Sequence, residues 1–303
     1  MAAETTVRER PSGAPPARHR PGPARIALAA LLLLLAAGMA AVSVLGPVGL
    51  DVLQHRTSDT TLNQLRGSDA AALLVVAPLT VVAAVLARRR HPAAPLLATG
   101  IGAYAVYTYA QVVIGQEYLD LPGNVERFFP LLLAVFVTAE ACLVLGWRAV
   151  PRDLPALSPV LRRTTGVALL AVAAFLVLGL HLRSMVTAWT DPTALTEYAS
   201  SPTPFWLVKL MDLGVVVPLA LATGVGVLRA SDRAVRVMYP LLTAYTCLAA
   251  SVAAMAVVMA VRDDPDASAV LVTGFAGFAL LFASLTAAAY RPLFRRPSEG
   301  DRQ

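Results

Sequence analysis

The stretch PFWLVKLMDLGVVVP, residues 204–218, places two opposite charges in an apolar setting. Lys209 is the one lysine in a chain that otherwise uses arginine, and Asp212 follows three residues later. Side chains at i and i+3 lie about 60° apart around a helix, so the spacing predicts that the two residues pair. In a low dielectric, such a pair is either a structural ion pair or a titratable site that holds a proton or a charged group of a solute. Alternatively, Lys209 snorkels to the interface while Asp212 bonds a group of another helix.

Two other apolar segments carry polar groups that could meet this pair. Tyr104, Tyr107 and Gln111 are spaced i, i+3, i+7 and therefore share one helix face. A rise of 1.5 Å per residue places Lys209 and Asp212 roughly 8 and 12 Å below the outer boundary of their segment. Gln111 and His181 reach a similar level in their own segments. The sequence therefore predicts a polar layer in the outer third, serving as a substrate or ion pathway.

Glu140 is the remaining carboxyl deep inside an apolar segment, roughly 18 Å from Phe128 by helical rise. A charge at such depth costs about 2.5–3.5 kcal/mol on insertion scales, so it is expected to face the interior and to have a role. Two roles are open for Glu140: a proton relay, or a hydrogen bond to Tyr104 or to a hydroxyl of another segment.

A weak metal signal lies in DVLQHRTSD, where Asp51, His55 and Asp59 recur at four-residue intervals. On a helix these side chains would share a face and could bind a divalent ion, but a solvated loop is the better interpretation. The chain has no phosphate-cradling glycine loop, HExxH, nucleophile elbow or CxxC, so no catalytic residue and no cofactor is predicted. A Schiff-base lysine is disfavoured by the shallow depth of Lys209.

Composition identifies the class of protein. Hydrophobic residues make up 57% of the 303 residues and charged residues 15%, with a mean hydropathy of +0.66. The charge deficit is concentrated in runs long enough to cross about 30 Å of hydrocarbon. The sequence predicts an all-α, polytopic membrane protein of about eight transmembrane helices, over Arg25 to about Leu50, 70–87, 94–115, 128–149, 165–187, 204–228, 236–261 and 267–289.

Basic residues predict the orientation. With both termini inside, 19 of the 25 lysines and arginines fall on the inner side, whereas eleven acidic residues fall outside. Such a bias obeys the positive-inside rule and predicts a cell-membrane protein with cytoplasmic N- and C-termini. The arginines form short clusters between apolar segments and no continuous basic face, so no nucleic acid is expected as a partner. Residues 1–23, rich in Pro and Arg, are predicted to be a disordered cytoplasmic tail.

An internal duplication is suggested by two short matches. VVAPL at 75–79 and VVVPL at 215–219 fall in the second and sixth segments, and each is followed by an arginine-containing loop and a PLL. Two interpretations are open for the membrane domain, residues 24–290: a four-plus-four repeat, or chance matches between helices rich in Val and Leu. A cytoplasmic tail is predicted at 291–303.

The stretches LMDLGVVVPLALATGVGVLR (210–229) and RGSDAAALLVVAPLTVVAAVLARRR (66–90), with YAVYTYA (104–110), resemble a family of uncharacterised prokaryotic multi-pass membrane proteins. That family carries Asp-Leu-Gly, then Pro, then a basic inner loop. The resemblance implies topology only and draws attention to Asp69, Tyr104, Tyr107, Asp212 and Pro218. It weakens after the sixth segment, where the chain has SDRAVRVMYP in place of an aromatic-glycine pair.

Three classes of function stay open. A small-solute or proton-coupled transporter would use the polar layer as its pathway, in a lipid bilayer and with a solute or proton as its ligand. A non-catalytic assembly or sensing partner would use the same residues as structural contacts. A membrane-embedded enzyme is the least favoured, because no catalytic motif is present. The sequence favours the transporter and leaves the oligomeric state open.

Overall fold

A computed structural model describes residues 23–295 of the chain. Eight helices account for most of them, and no β-strand occurs within this range. Each helix is long and apolar enough to cross a membrane, which confirms the predicted all-α polytopic fold. Their bounds are α1 Pro23–Leu45, α2 Asp59–Arg88, α3 Ala93–Ile114, α4 Val125–Ala149, α5 Pro159–Thr190, α6 Pro202–Leu228, α7 Asp232–Val261 and α8 Ala269–Phe294.

The predicted tails fall almost entirely outside the described residues. Pro23 is already the first residue of α1, and Arg291–Phe294 forms a short 3-10 turn that extends α8. Here the outer end of the bundle denotes the end that holds Leu45 and Pro202, which the arginine distribution predicts to face outside. The opposite end is the inner end.

Helix α2 begins at Asp59, eleven residues before the predicted start at 70. The Ser58 side chain caps it by accepting a hydrogen bond from the Thr61 N–H. This first part of α2 packs against α7, and it buries polar residues such as Asn63 and Ser68. A hydropathy pattern marks lipid-facing segments, so it misses a polar helical segment that is covered by protein.

Helices α3 and α7 form the centre of the bundle and pack against each other. Each of the eight helices also packs closely against its neighbour in sequence, in four pairs: α1 with α2, α3 with α4, α5 with α6, and α7 with α8. Gly100 makes the central contact possible, because a Cβ there would collide with the Pro240 carbonyl and the Thr243 side chain. Small residues allow backbones to approach in this way in membrane helices.

Three of the helices contain a π-helical segment: Ala72–Val76 in α2, Phe175–His181 in α5 and Asp212–Val216 in α6. The segments in α2 and α6 each lie directly before a proline-containing turn. A proline ring collides with the carbonyl four residues earlier and offers no N–H. The wider π turn accommodates both effects, and π segments of this kind often occur at functional sites.

The two halves of the chain match in position at several of these features. The π segments of α2 and α6, the prolines Pro78 and Pro218, and the left-handed residues Arg90 and Ala230 are 140 residues apart in each case. Such matches are what the predicted four-plus-four duplication would produce. The duplication itself stays a prediction.

Candidate functional site

The Asp212 carboxylate is the centre of a buried polar cluster. The Tyr107 hydroxyl of α3 donates a hydrogen bond to Asp212 Oδ1, and His181 Nε2 of α5 lies 2.7 Å from Asp212 Oδ2. Asp212 and His181 are 7% and 3% exposed. Three helices therefore meet at one carboxylate, about 15 Å along α6 from its outer start.

The π-helical segments position both members of the ion pair. His181 is the last residue of the π segment in α5, and Asp212 is the first residue of the one in α6. The Tyr245 hydroxyl donates to the Val216 carbonyl at 2.6 Å, so α7 is bonded to the far end of the same segment. The extra residue in a π turn rotates the side chains that precede it relative to those that follow it.

Lys209 and Asp212, both in the described part of the chain, do not form the predicted ion pair. The Lys209 ammonium lies 3.1 Å from the centre of the Phe205 ring and donates to the Phe205 carbonyl at 3.4 Å. The side chain is 6% exposed. It points back toward the helix start, as helical side chains do, and thus away from Asp212. The predicted pair of Lys209 and Asp212 is therefore wrong, whereas the alternative, in which Asp212 bonds groups of other helices, is confirmed. His181 takes the position expected for lysine.

Glu197 is a charged neighbour of this cluster that the sequence did not single out. It lies on a five-residue helix, Thr196–Ser200, in the loop between α5 and α6. Burial raises the pKa of the Glu197 carboxyl, and the nearby charge of Lys209 opposes this rise. Tyr198 of the same short helix packs edge-on against Phe205, with 5.0 Å between ring centres. The short helix therefore packs against Phe205 and brings a carboxyl close to Lys209.

One face of α3 carries Tyr104, Tyr107 and Gln111, and these residues have different neighbours. Gln111 lies one turn beyond Tyr107, and its amide nitrogen is buried without a hydrogen-bond partner among the described residues. Tyr104 instead bonds the Ser251 hydroxyl of α7 at 2.7 Å and belongs to the contact between α3 and α7. Gln111 thus lies beside Tyr107 at the edge of the cluster, whereas Tyr104 is a structural residue.

Glu140 lies on the exposed face of α4, outside the Asp212 cluster. The same face carries Leu133, Val137 and Val144, which are 45%, 52% and 47% exposed. The sequence-based expectation of an interior carboxyl is therefore wrong for this residue. Both faces of α4 are apolar, and its packing on α3 and α1 leaves Glu140 on the outside.

Asp51 and His55, two of the three residues considered as metal ligands, lie in a non-helical loop between α1 and α2. The third, Asp59, is the first residue of α2. They do not share a helix face. The His55 ring is buried, and burial lowers its pKa to about 4, partly opposed by Asp51. Among residues 23–295, no group of three His, Cys, Asp or Glu side chains is placed to hold a metal ion.

The cluster has the chemistry of a proton-binding site. The Asp212 carboxylate accepts from the Tyr107 phenol and pairs with the His181 imidazole, and both a carboxylate and an imidazole can carry a proton. A cationic imidazole and an ionised carboxylate neutralise each other, whereas a proton on the carboxylate removes the charge attraction between these two side chains. Of the seven sequence-predicted site residues, the structure brings Tyr107, His181 and Asp212 into direct contact.

None of the protein-family models, curated proteins or solved structures compared with the chain matches it. The resemblance inferred from the Asp-Leu-Gly and Pro motif stays a prediction.

Proposed function

We propose that the protein transports a small solute across the membrane and that proton binding at the Asp212 site drives the transport. One observation carries this proposal: the buried Asp212 carboxylate is bonded to groups from two other helices. Asp212 is the first residue of one π-helical segment, and its partner His181 is the last residue of another. Ionisable groups inside a membrane protein mark ion and substrate pathways, and helices with broken hydrogen bonding supply the parts that move.

The proposed cycle uses the charge of Asp212. Ionised Asp212 attracts His181 and accepts from Tyr107, which joins α3, α5 and α6. When Asp212 takes a proton, the ion pair loses its attraction and one carboxyl oxygen becomes a donor. The buried Gln111 amide then lies beside a carboxyl that can bind a polar group of the solute. The π segments in α5 and α6 provide the bending points.

The competing function is a non-catalytic partner in a membrane assembly, and one feature favours it. In an apolar stretch of 18 residues in α8, 11% of the residues are buried, the smallest share among the eight membrane-spanning helices. Apart from the neighbouring backbone of α8 itself, no heavy atom of residues 23–295 lies within 4 Å of the position where a Cβ of Gly274 or Gly277 would be. A partner protein would use this face and would not need a proton at Asp212.

A solute screen separates the two functions. A ligand that binds the folded state raises its melting temperature by mass action. The purified chain in detergent is mixed with a panel of amino acids, sugars, organic acids and amines at about pH 6 and about pH 8, on either side of the ordinary histidine pKa. A solute that stabilises the parent at one pH and loses this effect in Asp212→Asn supports transport. If every stabilising solute acts equally on Asp212→Asn, the proposed site is wrong.

A further inference from the structure

The outer end of α1 faces a second buried carboxyl, which the Asp212 site does not use. Asp69 lies on α2, and its Oδ2 atom is buried without a hydrogen-bond partner among the described residues. A Cβ added to Gly46, just beyond α1, would be 3.0 Å from this oxygen. The Asp69 carboxyl thus points at the last turn of α1.

The last turn of α1 presents backbone carbonyl oxygens to this carboxyl and no free backbone N–H. The same Cβ position at Gly46 is 3.0 Å from the Val42 carbonyl oxygen and 3.7 Å from that of Ser43. The carbonyls of Val42, Val44 and Leu45 accept backbone N–H groups. In a continuing helix, the Ser43 carbonyl would accept from the N–H of residue 47, but residue 47 is a proline and has no N–H. The Ser43 carbonyl is therefore left open at this turn.

The Ser43 hydroxyl adds a fourth oxygen. Ser43 is fully buried, and its Oγ has no hydrogen-bond partner in the described part of the chain. Residues 43 and 46 are three apart, so the hydroxyl lies on the α1 face that Gly46 presents to Asp69. A carboxylate and two carbonyls therefore surround the space that glycine leaves empty, and the unpartnered Ser43 hydroxyl belongs to the same turn of α1.

No charged side chain of the described residues neutralises this group. Arg66, one turn earlier on α2, donates to the Asn63 side chain at 3.0 Å and forms no ion pair with Asp69. Tyr109 of α3 is close enough to interact with the carboxyl, and its phenol brings no positive charge. The C-terminal end of a helix carries a partial negative charge, which repels a carboxylate. A carboxylate beside open carbonyl oxygens at a helix C-terminus is a setting that favours a bound cation.

We propose that Asp69, the Ser43 side chain and the carbonyls of Val42 and Ser43 form a sodium-binding site. Hard cations prefer oxygen ligands, and carbonyls at helix ends coordinate sodium in membrane proteins. One carboxylate matches a monovalent charge. Sodium would join the end of α1 to α2 at the outer end of the bundle. This inference goes beyond the proposed proton-driven transport and does not depend on it.

Sodium binding is measured on the full chain in detergent. The protein is prepared in choline chloride, and NaCl, KCl or more choline chloride is added at constant ionic strength. The melting temperature is recorded, and radioactive sodium is followed by equilibrium dialysis. We expect saturable sodium binding that raises the melting temperature of the parent, with little effect of choline.

Three variants assign the site. Asp69→Asn should abolish sodium binding, and Ser43→Ala should weaken it by about tenfold or more. Gly46→Ala fills the space between the oxygens and keeps every ligand, so it should weaken binding similarly without removing a charge. Asp212→Asn is the control and should bind sodium like the parent.

Three results would overturn the inference. If the parent shows no sodium dependence and Asp69→Asn melts at the same or a higher temperature, the carboxyl holds a proton. If sodium binds and both Asp69→Asn and Gly46→Ala bind it with parental affinity, the ion occupies another place. A loss of binding in Asp212→Asn would also count against the assignment to Asp69.

Discussion

His181 Nε2 and Asp212 Oδ2 lie 2.7 Å apart, and each residue stands at an end of a π-helical segment in its own helix. This hydrogen-bonded pair therefore lies where both α5 and α6 depart from regular α-helical geometry. Because both side chains are buried, a change in either charge is felt by the other at low dielectric.

The first prediction concerns the strength of this pair. Removing one partner of a buried ion pair leaves the other uncompensated and costs about 3–5 kcal/mol. Asp212→Asn and His181→Gln should each lower the melting temperature in detergent, and the double variant should lose less than the sum. A coupling energy below about 0.5 kcal/mol would show that the two residues do not act as a pair.

Tyr107→Phe removes one donor to Asp212 and retains the ring. A hydrogen bond to a charged group contributes about 1.5–3 kcal/mol, so a loss of this size is expected, together with altered solute binding. Tyr104→Phe, which removes the bond to Ser251, is the matched control. It should reduce stability without changing solute binding, because Tyr104 belongs to the contact between α3 and α7. Equal effects of both variants on solute binding would contradict the placement of Tyr107 in the site.

Lys209 should couple to Glu197 more strongly than to Asp212. The Lys209 ammonium lies over the Phe205 ring and close to Glu197 of the short helix. Double-mutant cycles with Lys209→Met, Glu197→Gln and Asp212→Asn measure the two couplings by thermal unfolding. A larger coupling with Asp212 would restore the pairing that the spacing alone suggests.

His55 should make the chain less stable in acid. Its folded-state pKa is lowered from 6.5 to about 4, so the unfolded chain binds a proton first as the pH falls. The stability contributed by neutral His55 is complete above pH 6.5 and is lost progressively down to about 4. The loss reaches about 3 kcal/mol, at 1.36 kcal/mol per pKa unit. Melting curves of the parent and of His55→Gln over this range should differ in slope, and parallel curves would exclude His55 as the cause.

Much of the fold and part of the site can be predicted from the sequence. Each membrane span needs about 20 apolar residues, so the eight helices are visible in the hydropathy pattern. Asp212 and His181 attract attention because charges inside spans are costly. Their contact joins residues 31 positions apart on two helices. The alignment of α5 with α6 is not encoded in a pattern within either helix. The i, i+3 spacing within α6 therefore pointed to Lys209 as the partner of Asp212 instead.

Glu140 and Glu197 illustrate two further limits. The direction in which Glu140 points depends on how α4 packs, and an apolar sequence on both sides of the helix does not encode that choice. Glu197 lies in an outer loop, where carboxyls are common, and only the folded structure shows that it is close to Lys209. The π segments were also missed, although Pro78 and Pro218 mark two of them.

Proton movement through Asp212 is the most direct test of the proposed function. The parent, Asp212→Asn and Glu140→Gln are reconstituted in phosphatidylcholine vesicles that contain a pH-sensitive dye, and the best solute of the screen is added outside. We predict that this solute acidifies the interior with the parent and with Glu140→Gln, whose carboxyl lies on the exposed face of α4. Asp212→Asn should give no acidification. Equal acidification by Asp212→Asn and the parent would contradict the account.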